Sequence, residues 1–210
     1  MAKVAIIWRF LAVGLVWGSG FLWNSIALES MSWQFLTWSR ALVGALVLLA
    51  IMLTVQPRTG GIVWPRSVKT WLHFGVIGVL LAAIPNVFWA LGQLNLSSSL
   101  ASIYNATIPI ATALIAGLLF RIDRLGPFQW LGIAAGITGV VVVIGPWEGS
   151  VGGGLWSQLA CLVAVCSVAT AFAYQRKYLA EHPLHPITAA ALITFGAAAV
   201  SLVMTPVWLD

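Results

Sequence analysis

Arg40 is the residue of this chain best placed to do chemistry, because it is a charge embedded in a long apolar run. Holding an arginine at the centre of a bilayer costs at least about 2.5 kcal/mol on insertion scales. Two uses would justify that cost. Arg40 meets an anion or carboxylate on a solute path, or it reaches outward to pair with helix-end carbonyls and Glu29. The residues alone leave both open. Other polar side chains recur at helical spacing: Ser98, Ser102, Asn105, Pro109 and Thr112 follow i, i+4, i+7, i+11 and i+14, one face of a helix. Pro109 has no N–H for the carbonyl of Asn105, which predicts a kink there. Asn86, Trp89 or Ala90, and Gln93 form a parallel set just after Pro85, while Trp17, Phe21 and Asn24 share a face near the N-terminus. The pattern predicts a central cavity between helices, with Trp17, Phe21, Asn24, Arg40, Asn86, Trp89, Tyr104 and Asn105 as candidate substrate-binding residues. The competing use of Ser, Thr and Asn is to join helices by hydrogen bonds of about 0.6 kcal/mol each. Aromatic residues also simply fill space.

Other chemistries lack their parts. Cys161 and Cys166 sit in one apolar run with no histidine beside them, and read as small apolar packers rather than a disulfide or metal pair. His182 and His185 flank Pro183 in a connection, again without further ligands, and His73 reads as a solvated or capping residue. No cofactor or metal is expected. The apolar runs hold no acid pair, no H-E-x-x-H and no histidine near their middle, which argues against an enzyme. No G-x-x-x-x-G-K-S/T phosphate loop is present, and the last apolar run has no lysine for a retinal Schiff base.

The elements that must position these residues follow from composition. Hydrophobic residues make up 61% of the 210 and charged residues 7%, against roughly 25% charged in a soluble domain. Mean hydropathy is +1.01. Lipid is therefore the solvent, and the unit of structure is a run of about 20 apolar residues crossing about 30 Å of hydrocarbon. The runs are long and unbroken rather than alternating, so they are helices and not barrel strands. The fold class is an all-α polytopic membrane protein with seven spans near residues 7–27, 33–55, 70–92, 98–120, 127–146, 155–175 and 186–207. Gln56-Pro57-Arg58-Thr59-Gly60-Gly61, Leu125-Gly126-Pro127, Gly145-Pro146 and Gly152-Gly153-Gly154 break the runs. The first run lacks a small-x-small cleavage site at Phe21-Leu22-Trp23-Asn24 and reads as a retained span.

Charge orients the spans. Lys3, Arg9, Arg58, Arg66, Lys69, Arg121, Arg124, Arg176 and Lys177 all fall on one side, while Glu29, Glu148 and Asp210 lie on the other. The positive-inside rule puts the basic side and the N-terminus in the cytoplasm. A wrong span count would scatter the charges over both sides. The pI of about 9.8 therefore reflects topology, and no nucleic-acid partner is expected. Trp33, Trp38, Trp64, Trp71, Trp130, Trp147, Trp156 and Trp208 lie near span ends, as interfacial anchors in lipid do. Gly132, Gly136 and Gly139 form a small-residue face in span five, a packing device and a possible homodimer contact.

From about residue 11 to 145 the chain resembles the EamA family of the drug/metabolite transporter superfamily. Trp17-Gly18-Ser19-Gly20-Phe21 is similar to that family's opening motif, and Arg40 matches its arginine early in span two. The stretch from Ala90 to Ile144 resembles the end of span three, a small-residue-rich span four with a mid-helix proline (Pro109), and a Gln-x-x-Gly span five. Ile122-Asp123 stands where relatives carry Gly-Glu. The resemblance implies ten helices in two inverted five-helix repeats. Residues 1–146 would then be a complete first repeat, and 152–210 two helices of the second, a C-terminally truncated form. Phe172-Ala173-Tyr174-Gln175 echoes Phe21-Leu22-Trp23-Asn24. The implied function is a secondary transporter or exporter of a small metabolite, working by alternating access in the cell membrane. A non-transporting scaffold or a receptor-like seven-helix protein is the alternative.

Overall fold

A computed structural model describes residues 2–55, 57, 64–144, 154–180 and 184–208. Among the described residues seven long helices follow one another: α1 (Ala2–Leu28), α2 (Trp33–Thr54), α3 (Val68–Gln93), α4 (Ser98–Leu119), α5 (Pro127–Ile144), α6 (Gly154–Tyr178) and α7 (Pro186–Trp208). They occupy the seven expected spans, with ends differing by a few residues. No strand occurs among the described residues. α1 to α4 and α6 are long and apolar enough to cross a membrane; the apolar stretches Pro127–Val142 of α5 and Pro186–Leu202 of α7 are shorter. Phe128 and Trp156 are 87% and 83% exposed, which is tolerable only where lipid takes the place of water. The expected breakers at 58–61, Gly145-Pro146 and Gly152-Gly153, together with Trp147, Glu148, His182 and Asp210, lie outside the described residues.

Local sequence sets the helix ends. Ser32, Ser67 and Ser97 stand in extended conformation before α2, α3 and α4, and each hydroxyl accepts a first-turn N–H. At α5 the Gly126 N–H donates to Oε1 of Gln129 at 2.6 Å, the back-reaching half of a capping box. The glutamine of the Gln-x-x-Gly motif is thus a cap.

α3 and α4 are both interrupted, each in its own way. In α3 the Ile84 N–H donates to the Val79 carbonyl, five residues back. That shift takes from the Leu80 carbonyl its usual partner, and the next residue in line, Pro85, has no N–H to give. Ser167 of α6 fills the gap, its hydroxyl donating to the Leu80 carbonyl at 2.7 Å. In α4 the helix stops at Thr107 and restarts at Ile108, and the Thr107 hydroxyl donates to the Tyr104 carbonyl at 2.6 Å. The expected single stripe does not survive this break. Asn105 faces inward, whereas Pro109 faces a groove shared with Gln129 and Gly132 of α5. Ser102 and Thr112 spend their hydroxyls on the carbonyls of Ser98 and Ile108. Periodicity of 100° per residue does not carry across a broken helix.

α7 packs against α2 and α3, and α6 against α3 and α4. Glycine is required where α3 crosses α7: a Cβ on Gly78 would stand 2.5 Å from the Ile193 carbonyl oxygen. Cys161 of α6 is fully buried and touches α3 at Gly92, as a small packer does. At one end of the bundle Asn95 donates to Ser157 Oγ at 3.3 Å. The opposite end gathers the start of α3 and the ends of α4 and α6, and with them Arg66, Lys69, Arg121, Arg124, Arg176 and Lys177.

Candidate functional site

A cavity of about 300 Å³ opens among α1, α2, α3, α4 and α6. Seven of the eight candidate residues line it: Trp17, Phe21 and Asn24 from α1, Arg40 from α2, Asn86 and Trp89 from α3, and Asn105 from α4. Tyr104 does not. It is buried in the packed cluster behind the cavity, with Phe21, Trp89, Cys161 and Val168. Pro85 and Leu81 add the interrupted segment of α3 to the wall, and Val168 adds α6. The two breaks therefore flank the cavity. Phe21 meets Trp89 edge to face with centroids 5.0 Å apart, so flat aromatic surface forms one side.

The polar groups fall into two sets. The first is a chain of hydrogen bonds through three helices. Gln93 donates from Nε2 to the Phe21 carbonyl at 2.8 Å and to Ser25 Oγ at 3.2 Å. A carbonyl can only accept, so the Gln93 amide is held with Oε1 toward Asn24, which donates to it from Nδ2 at 3.1 Å. Asn24 is left presenting Oδ1, and Arg40 donates to it from Nη1. Of the two uses left open for Arg40, pairing with Glu29 is not the one seen: Arg40 turns to Asn24, and among the described residues the ion pair found is Arg176 with Asp123. Gln93 belongs to the polar set that follows Pro85 in the sequence but is not among the eight candidate binding residues. Its buried amide fixes the rest.

The second set is unspent. Asn86 and Asn105 are half-buried, line the cavity, and make no side-chain hydrogen bond among the described residues. In a bundle interior, an amide without a partner costs roughly 1–3 kcal/mol. Such groups are retained where water or a ligand meets them. Among the described residues no acidic side chain lines the cavity, and Arg40 is the charged residue that does. A solute cation about 7 Å from the guanidinium is repelled by roughly 2 kcal/mol at an effective dielectric of 20. Cation–π attraction at an open aromatic face returns only about 0.5–1 kcal/mol.

Toward the basic end the bundle is packed. Phe74, Ile77, Leu179 and Leu192 form a second buried cluster, against which Leu81 and Tyr174 pack. His73 Nδ1 lies 2.6 Å from the Tyr174 hydroxyl, and its ring stacks on Tyr178 at 5.3 Å. His73 is therefore clamped between two tyrosines of α6, rather than solvated. Arg176 pairs with both oxygens of Asp123 at 2.5 and 2.9 Å, and Lys177 donates to the Phe120 carbonyl at 3.3 Å. The aspartate after α4 thus ties that helix end to α6. No group of three or more potential metal ligands occurs among the described residues.

Residues 4–145 match the model of the EamA-like transporter family. The protein named as uncharacterized inner membrane transporter YedA in Escherichia coli K12 is 29% identical over 162 residues, covering 77% of this chain and 49% of that protein. The Bacillus subtilis protein named as uncharacterized transporter YdfC is 26% identical over 179 residues, covering 84% and 55%. A protein of Rhizobium johnstonii named riboflavin transporter is 28% identical over 103 residues, covering 47% and 31%. The chain spans about half the length of the first two relatives. No solved structure is a significant match.

Proposed function

Because this chain belongs to the EamA-like transporter family and is an integral membrane protein by helix length and composition, we propose that it is a secondary transporter or exporter of a small metabolite, with the cavity among α1–α4 and α6 as its solute site. The observation that carries this reading is the pair of amides, Asn86 and Asn105, that face the cavity with no side-chain partner among the described residues. A scaffold would gain nothing from leaving them unpaired. Alternating access would use the breaks in α3 and α4, where the backbone bends at least cost. The sealed basic end would be the cytoplasmic gate, with the N-terminus on that side, as the one-sided basic residues suggest. The likeness of Phe21-Leu22-Trp23-Asn24 to Phe172-Ala173-Tyr174-Gln175 supports two inverted repeats, with 1–146 as the first and 152–210 as the start of the second. Energy would come from a solute gradient or exchange.

Flux into proteoliposomes holding the full-length protein tests the transport reading. The expected result is saturable uptake for at least one class of small metabolite, reduced at least about tenfold in Asn86→Leu. Riboflavin belongs in that panel because of the Rhizobium relative's name. The absence of saturable flux for every class would leave the scaffold reading. A homodimer through α5 is a separate possibility that light scattering in detergent reads directly. A Cβ added at Gly132 or Gly139 of α5 would meet nothing within 4 Å among the described residues, whereas one at Gly136 would stand 2.5 Å from Ile110.

A further inference from the structure

We infer that the cavity selects a small organic anion, a carboxylate or similar single-charge group carried on a flat aromatic body, with Arg40 as the charge-selecting residue. This rests on the cavity being the solute site. A guanidinium has five N–H donors, and Arg40 spends one, on the neutral Oδ1 of Asn24. Its charge faces the cavity, and among the described residues no carboxylate lines it to balance that charge. The two described acids, Glu29 and Asp123, do not line the cavity, and Asp123 is taken by Arg176 at the basic end. Arg40 is exposed, so its guanidinium is open to a solute in the cavity, and a charge left uncompensated there favours an anion.

Arg40 is also held ready. The carbonyl of Phe21 fixes the Gln93 amide, Gln93 fixes the Asn24 amide, and Asn24 turns its oxygen to Arg40. Every link has one chemically permitted direction, so the guanidinium is aimed by a neutral acceptor that leaves its charge unneutralised. Gln93 and Asn24 act as positioning residues. Such preorganisation favours binding, because the site need not rearrange. Trp17, Phe21 and Trp89 supply flat surface for the body of the solute, and Asn86 and Asn105 supply neutral hydrogen bonds. The volume of about 300 Å³ lies at the lower end of small-molecule sites, which excludes bulky polyanions.

The test is a charge series on fixed bodies. Full-length protein in phosphatidylcholine nanodiscs is titrated calorimetrically with phenyl, indole and naphthyl compounds, each as acetate, acetamide and ethylammonium. On at least one body the carboxylate is expected to bind at least about tenfold tighter than the amide and the ammonium. Arg40→Gln should level carboxylate and amide, and Arg40→Lys should keep part of the preference. Should Arg40→Gln fail to fold, the series on the unaltered protein still decides. Preference for amide or ammonium, no binding by any probe, or a carboxylate preference unchanged in Arg40→Gln overturns the inference. Phosphatidylglycerol that abolishes carboxylate binding would assign Arg40 to lipid headgroups and overturn it too. Saturable flux of neutral or cationic solutes that ignores Arg40 would sink this inference and leave transport standing. Anion binding without flux would do the reverse.

Discussion

Asn24 and Asn86 are the same residue type, both line the cavity, and differ in what their amides do. Asn24 is 5% exposed and bonded on both sides, to Gln93 and to the charged Arg40. Hydrogen bonds to a charged group contribute about 1.5–3 kcal/mol. Asn24→Leu should therefore lower the stability of the solubilised protein by about that much, and leave Arg40 badly aimed. Asn86 makes no side-chain hydrogen bond among the described residues. Asn86→Leu should shift stability by less than about 0.5 kcal/mol, or raise it, since an unpaired amide is removed, while solute binding falls. Denaturant unfolding of the two variants side by side checks the contrast. Equal destabilisation would make Asn86 a packing residue and empty the cavity argument.

At the scale of elements, the interruption in α3 depends on a neighbour. The Leu80 carbonyl has no helical donor, and the Ser167 hydroxyl of α6 supplies one. Ser167→Ala orphans that carbonyl and should cost about 1–3 kcal/mol, in thermal unfolding followed by helical circular dichroism. An unchanged melting curve would mean that the α3 break does not need α6. The end of α4 is strained in another way. Arg121 takes φ +52°, while the Ile122 N–H closes back onto the Ala116 carbonyl at 2.9 Å. A side chain in that conformation costs about 1–2 kcal/mol, part of which glycine gives back through its freer unfolded chain. Arg121→Gly is expected to gain roughly 0.5–1 kcal/mol in the same assay.

Across the whole molecule the charge map and the packing make one prediction about sides. With Cys161→Ala and Cys166→Ser as background, Ser30→Cys should react with an impermeant maleimide added to whole cells. Arg124→Cys should react only after permeabilisation. Reversed labelling would overturn the assigned orientation. The same reagent reads the gate. The Arg176–Asp123 pair is exposed, with side chains 58% and 36% accessible, so its loss should change stability by no more than about 1 kcal/mol. If that pair holds the basic end shut, Arg176→Gln should raise labelling of Leu81→Cys by roughly threefold, the factor that about 0.6 kcal/mol makes in a population. No rise would mean that the apolar cluster around Phe74 and Ile77 holds the gate without it.

The sequence by itself determined which solvent the protein lives in, where its helices run, and which residue types had to be hidden from lipid. Those properties are local: a run of 20 apolar residues, a serine before α2, α3 or α4, or a proline within α3 or α4 acts through the nearest few residues. Placing Trp17, Asn24, Arg40 and Asn86 on the faces that line the cavity was possible for the same reason, since each lies on an unbroken stretch of helix. Only the tertiary structure decided what those side chains meet. That Arg40 turns to Asn24 and not to Glu29 depends on Gln93, 69 residues from Asn24, and no spacing rule reaches that far. The break at Thr107 sent Pro109 toward α5 and left Asn105 in the cavity. Tyr104, next to Asn105 in sequence, was turned into the packed cluster by the 100° between neighbours on a helix. Pairing across helices depends on which faces the packing brings together, and that is a property of the whole bundle.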